Sequence, residues 1–119
     1  MFNKISIIGC GLIGSSILRA VEEKKLSSEV SVFDKSNRVN DYLKKNFSAL
    51  VCNNPLEAVR NSDLNIIASP LSSYKEILLS IKSELKKNSI LTDTGSAKKE
   101  INKIINNLNL KNIHWITSH

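Results

Sequence analysis

Gly9, Gly11 and Gly14 stand as G-x-G-x-x-G in the stretch Lys4-Ile5-Ser6-Ile7-Ile8-Gly9-Cys10-Gly11-Leu12-Ile13-Gly14-Ser15-Ser16. That spacing suits a backbone wrapped around a pyrophosphate. Gly9 permits a tight turn, Gly11 lets a phosphate approach the main chain, and Gly14 lets a following helix pack closely. The free N–H groups at the start of that helix, near Leu12 and Ile13, face the anion with the positive end of the helix dipole behind them. Asp34 lies 20 residues past Gly14, where a carboxylate would bind the adenosine ribose hydroxyls. An acid there repels a 2′-phosphate, so NAD is expected over NADP. Lys35 and Arg38 follow closely and soften that preference. The plainer alternative is a glycine loop that only joins strand to helix, with Asp34 capping the next helix.

Further polar groups gather at the expected ends of strands. From position alone, His119 is either a proton acceptor for a substrate hydroxyl or an exposed terminal side chain. Ser96 follows Asp93-Thr94-Gly95; it is a helix N-cap, a hydroxyl aimed at the nicotinamide or His119, or both. Ser69-Pro70-Leu71 ends the strand expected beside the first one, so it should border the nicotinamide end of a cofactor. His114 and Trp115 read as ordinary strand residues. No Ser-His-Asp or Cys-His arrangement and no metal-ligand spacing is evident.

Alternating elements must position these groups. Lys4–Ile8 reads as a buried strand of β-branched residues, followed by a helix bearing Ile17, Leu18 and Val21. Glu29–Asp34 is a second strand. Ser36 caps a short helix carrying Val39, Tyr42 and Leu43. Residues 47–52 suggest a weak third strand. Asn54-Pro55-Leu56-Glu57 is a helix start, with Asn54 as cap and Pro55 at the first position. Asp63–Ala68 is a fourth strand. Ser72 or Ser73 should then cap a long helix with Ile77, Leu78, Ile81 and Leu85 on one face, ended by Lys86-Lys87-Asn88. A fifth strand at Ser89–Asp93, a helix with Ile101, Ile104, Ile105 and Leu108, and a sixth strand at 112–117 complete the pattern. This alternation predicts an α/β fold of Rossmann type: one domain over residues 1–119, a doubly wound parallel sheet in the order 3-2-1-4-5-6. Ligands of such sheets bind at the carboxyl ends of the strands, which collects the glycine turn, Asp34, Ser69-Pro70, Gly95-Ser96 and Ser118-His119 on one edge.

Composition narrows the partners. The net charge of +6 comes with only 5% aromatic residues, and the lysines fall in helix-face pairs such as Lys24-Lys25 and Lys86-Lys87. Solvated helix faces explain them better than a nucleic-acid patch. No apolar run reaches membrane-spanning length, and the start of the chain leaves no room for a signal peptide. Cys10 and Cys52 have no redox or metal spacing, so both are expected as free thiols in the cytoplasm. The many Asn, Lys and Ile residues suggest no mechanism.

Taken together, Ile7–Ser16, then Asp63–Leu71 (DLNIIASPL), Leu91–Lys98 (LTDTGSAK) and Trp115–His119 (WITSH) resemble the prephenate/arogenate dehydrogenases of tyrosine biosynthesis, in order and over the whole chain. The glycine fingerprint is shared by many dehydrogenases; D-x-G-S-x-K followed by a histidine after the next strand is far more specific. The resemblance implies oxidative decarboxylation of prephenate or arogenate with NAD(P)+. It implies that His119 polarises the ring hydroxyl and that Ser96 hydrogen-bonds near the histidine and nicotinamide. It also implies a second, helical domain that forms a homodimer and binds the substrate carboxylates. The family usually continues past its histidine with Pro and an Ala-Gly stretch and often has Gly before it, where this chain has Ser118. The expectation is therefore a truncated N-terminal cofactor domain, inactive alone. The sequence also admits two other readings: the cofactor domain of another Rossmann reductase of 3-hydroxyacid dehydrogenase type, and a free-standing dinucleotide-binding module without catalysis.

Overall fold

The computed structural model describes residues 2–95 and 98–116. Six strands, β1 (Phe2–Ile8), β2 (Ser27–Phe33), β3 (Leu50–Val51), β4 (Leu64–Ile67), β5 (Ile90–Asp93) and β6 (His114–Ile116), form one parallel sheet in the order β3-β2-β1-β4-β5-β6. The α-helices among the described residues are α1 (Leu12–Lys24), α2 (Asn37–Asn46), α3 (Pro55–Val59), α4 (Tyr74–Ile81) and α5 (Lys98–Leu108). This is the expected doubly wound arrangement.

The two faces of the sheet follow from strand alternation. Ile5 and Ile7 of β1 and Val32 of β2 pack against Leu18 and Val21 of α1 and Leu43 of α2. Ile8, Ile67 and Leu91 pack on the other face against α3, α4 and α5, through Ala58, Val59, Leu78, Ile81, Ile101 and Ile105. One row on that second face is polar. Ser6 Oγ donates to Asn65 Oδ1 at 2.8 Å, and Asn65 Nδ2 donates to the Ile90 carbonyl at 3.3 Å. Ser6 and Asn65 are fully buried, so each depends on these bonds, which tie β1, β4 and β5 in register.

That register matters for function. Ile8 pairs with both Phe33 and Ile67, and Ile67 pairs with Asp93. The four strand ends are therefore level, and the turns that follow them open on one edge.

Several local expectations hold. Ser36 Oγ accepts from Val39 N, and Asn54 Oδ1 accepts from Glu57 N at 2.9 Å. Others need correction. The third strand is only two residues long, because Ala49 and Ser48 bond to the Glu22 carboxylate rather than to β2. Neither Ser72 nor Ser73 caps α4. A 3-10 turn over Leu71–Ser73 precedes the helix, and Ser73 already has right-handed helical angles, whereas an N-cap needs extended ones. The helix is also shorter than expected, ending at Ile81 before Lys86 is reached, although Leu85 still packs on the core. The asparagines acquire a role: Asn61, Asn88, Asn109 and Asn112 all take positive φ, where Asn is the best tolerated residue after Gly.

Candidate functional site

A cleft of about 1330 Å³ runs along the carboxyl edge of the sheet. Gly9, Gly11, Leu12 and Ile13 line it, with Asp34 and Lys35 at one side and Ser69, Pro70 and Leu71 at the other. Thr94 and Gly95 lie in its wall. Gly14 is buried behind the first turn of α1. The expected cofactor-binding residues other than Gly14 thus lie around one cleft. His119 and Ser96 lie outside the described residues.

The glycine turn is shaped by close approach. Gly9 has φ +90°, and a Cβ there would come within 2.7 Å of Ser69 N. A Cβ on Gly14 would overlap the Gly9 carbonyl oxygen and touch Ala68 Cβ at 3.4 Å. Gly14 therefore packs the helix onto the turn itself, a refinement of the expected contact with the strand. Gly11 differs: a Cβ there would meet nothing within 4 Å. The space above Gly11 is open to the cleft, and no neighbour within the fold demands a glycine there.

The helix start behind it is left unsealed. Gly11 is the N-cap of α1, no side chain accepts a bond from its first turn, and that turn holds no acid. Leu12 is 88% exposed and Ile13 55%. Orphan amides and the helix dipole together make this an acceptor-seeking end.

Asp34 sits directly after β2 and is held at both oxygens. Oδ2 accepts from Cys10 N and Oδ1 from Ser36 N, each at 2.8 Å. Each oxygen keeps a lone-pair direction for a further donor. The carboxylate thus joins the glycine turn to the entrance of α2. Asn40, which the sequence reading missed, clasps the same residue: its Oδ1 accepts from Asp34 N at 3.1 Å and its Nδ2 donates to the Asp34 carbonyl at 2.7 Å. An Asn six residues after an Asp is no recognisable motif; only the turn back of α2 shows the pairing. Lys35 and Arg38 are exposed beside Asp34.

Cys10 is buried under the turn, and burial with the nearby Asp34 charge pushes its thiol up to about 12. It is an inert packing group, as is buried Cys52, and both are free thiols. Among the described residues, no group of His, Cys, Asp or Glu is placed to hold a metal ion, and no helix is long and apolar enough to cross a membrane.

At the far side of the cleft, Asp93 is buried at the end of β5. Its Oδ2 accepts from Gly95 N at 2.8 Å, and both oxygens accept from Lys98 Nζ at 3.2–3.3 Å. Tyr74, also missed from the sequence, is buried at the head of α4 with its hydroxyl donating to the Ile67 carbonyl at 3.1 Å. His114 is exposed on β6, and Trp115 packs against the core while its Nε1 donates to Asn102 Oδ1 at 2.9 Å. Both fit the structural roles expected.

Residues 17–119 match the family described as "Prephenate dehydrogenase, nucleotide-binding domain". A cyclohexadienyl dehydrogenase of Zymomonas mobilis is 36% identical over the whole chain, which spans 41% of that protein. A prephenate dehydrogenase of Lactococcus lactis is 34% identical over 88% of the chain, covering 30% of that protein. Among solved structures, a prephenate dehydrogenase from A. aeolicus in complex with hydroxyphenyl propionate and NAD+ superimposes with a TM-score of 0.79 at 18% identity, over 95% of this chain and 40% of that one. The chain therefore spans less than half the length of each of these proteins.

Proposed function

The chain belongs to the prephenate dehydrogenase family as its nucleotide-binding domain, and from that premise we propose that it supplies the cofactor half of an NAD-dependent enzyme that oxidatively decarboxylates prephenate or arogenate. One observation carries the reading. The open space over Gly11, the unsealed start of α1 and the doubly anchored Asp34 face one cleft, at the carboxyl edge where such sheets bind dinucleotides.

The residues present fit the cofactor. In this reading the amides near Leu12 and Ile13 receive the pyrophosphate, and the bare Gly11 backbone lets it come close. Asp34 accepts from the adenosine ribose hydroxyls, held in place by Cys10 N, Ser36 N and Asn40. Ser69, Pro70 and Leu71 wall the nicotinamide end. The bound dinucleotide would supply the hydride acceptor. His119 would bind and polarise the substrate hydroxyl, and Ser96 would hydrogen-bond beside it. Asp34 favours NAD because its charge repels a 2′-phosphate, while exposed Lys35 and Arg38 moderate the preference. Groups that recognise the substrate carboxylates belong, in this reading, to the part of the relatives that the chain does not span, as does homodimer formation. Free, buried thiols suit the cytoplasm.

Calorimetric titration of the 119-residue chain with NAD and NADP tests the binding half of this proposal. The expected result is saturable binding of both, tighter for NAD. Absence of NAD binding at millimolar concentration overturns it. Extension of the coding sequence to the length of the relatives tests the chemistry: NAD reduction with prephenate or arogenate should collapse in His119→Asn while NAD affinity holds. Relatives of the prephenate dehydrogenase family at 34–36% identity favour this reading over a 3-hydroxyacid dehydrogenase-like one.

A further inference from the structure

The loop after β4 and the turn after β5 both wall the cleft, and one buried side chain lies between them. Tyr74 is 1% exposed. It follows Leu71–Ser73 directly, so it anchors the end of the β4–α4 loop. Its hydroxyl donates to the Ile67 carbonyl, which also accepts from Thr94 N, both at 3.1 Å. Gly95 lies over the same hydroxyl: a Cβ there would be 3.3 Å from Tyr74 Oη, 3.3 Å from Asp93 Oδ2 and 2.9 Å from Ile101 Cδ1. Asp93 completes the arrangement from below by accepting from Gly95 N and Lys98 Nζ. The phenol oxygen thus sits between the end of β4 and the Thr94–Gly95 turn, which lines the cleft.

We propose that Tyr74 is a positioning residue for the nicotinamide end of the site: its hydroxyl sets the spacing between the Ser69–Leu71 loop and the Thr94–Gly95 turn. This rests on the dinucleotide-binding reading above. A phenol suits the task because it is rigid and reaches across two strand ends from a helix. Burial, reinforced by the Asp93 charge, pushes the Tyr74 hydroxyl up to about 12, so it remains a donor throughout the working pH range. Asp34 and Asn40, which in this reading hold the adenosine end through their own bonds, follow β2, separated by β1 from the β4 end that Tyr74 meets. Loss of the hydroxyl should therefore be felt at one end of the ligand only.

Tyr74→Phe keeps the ring and removes the bond. Two ligands separate the ends: NADH, followed by its nicotinamide fluorescence, and ADP-ribose, which lacks the nicotinamide, followed by calorimetry. The expected result for Tyr74→Phe is about three- to tenfold weaker NADH binding, the span of one net hydrogen bond, with ADP-ribose affinity within about twofold of the parent. Gly95→Ala, which pushes the turn off the hydroxyl from the opposite side, should give the same selective loss. Equal weakening of both ligands in both variants, or no change in either, overturns the proposal and assigns Tyr74 to packing alone. If Tyr74→Phe folds poorly, Gly95→Ala decides by the same ratio. Failure of the parent chain to bind ADP-ribose or NADH at all overturns the dinucleotide reading itself, and this inference with it, which separates the two failures.

Discussion

The starts of α1 and α3 are built from opposite materials. At α3, Asn54 accepts from Glu57 N, Pro55 removes a donor that would need a partner, and Glu57 places a negative charge in the first turn. At α1, a glycine stands at the cap, no side chain accepts from the turn, and no acid is present. The opposite edge of the sheet extends the contrast. There the amides of Asn3 and Lys4 donate to the chain's own Asp63 carboxylate, which also meets Lys86. At α3 and at this opposite edge the chain supplies its own acceptor. The start of α1 forgoes that stabilisation, of about 1 kcal/mol for a typical cap, and in the proposed function its donors are left to the dinucleotide.

The comparison breaks most visibly at Gly9. Gly9→Ala forces a side chain into positive φ and against Ser69 and Ala68. We expect a loss of about 2–4 kcal/mol in urea unfolding, with dinucleotide binding abolished. Gly11→Ala should separate the two properties. Its φ is −68° and its surroundings are empty, so the melting temperature should hold. NAD affinity should nevertheless fall about tenfold or more, some 1.4 kcal/mol, because the added methyl occupies the phosphate's approach. Equal NAD affinity in Gly11→Ala and the parent would remove the reason for an unsealed α1.

Asn54→Ala is the converse case. It should cost about 1 kcal/mol of stability, a few degrees in melting temperature, and leave NAD affinity unchanged. The smallest effect is expected at Asp63. Its hydrogen bond with Lys86 and those from Asn3 and Lys4 hold its carboxyl below the usual 3.8. A lowered folded value contributes stability above pH 3.8 and loses it as pH falls through that lower value. Lys86 is half-exposed and Asp63 partly so, and Asp63→Asn should therefore cost less than about 1 kcal/mol at pH 7. The difference between parent and variant should shrink as pH falls below 3.8, as unfolding curves at pH 7 and through the acid range would show.

Much of this molecule is legible in short stretches. Alternating β-branched residues, glycine spacing and the caps at Ser36 and Asn54 act over a few positions, so they point to the same strands and helices whether read from sequence or structure. Where an expectation failed, a longer-range demand intervened. Ser73 has the right chemistry for a cap, but the 3-10 turn after Pro70 draws it into helical angles. Residues 48 and 49 have strand character, yet Glu22 of α1 captures their amides.

The order of elements, the edge of the sheet on which the turns gather, the glycine turn at the head of α1 and the acid that follows β2 are properties of the sequence, because backbone freedom, capping and side-chain alternation are local. The tertiary structure alone decided what holds that edge in place: Asn40 on the main chain of Asp34, Asn65 between three strands, Asp93 under Gly95, and the Tyr74 hydroxyl on the Ile67 carbonyl. A buried polar side chain is stable only with its partner. For Asn65 that partner comes from a distant part of the sequence, and for Tyr74 the hydroxyl meets Gly95 only after β4 and β5 have paired.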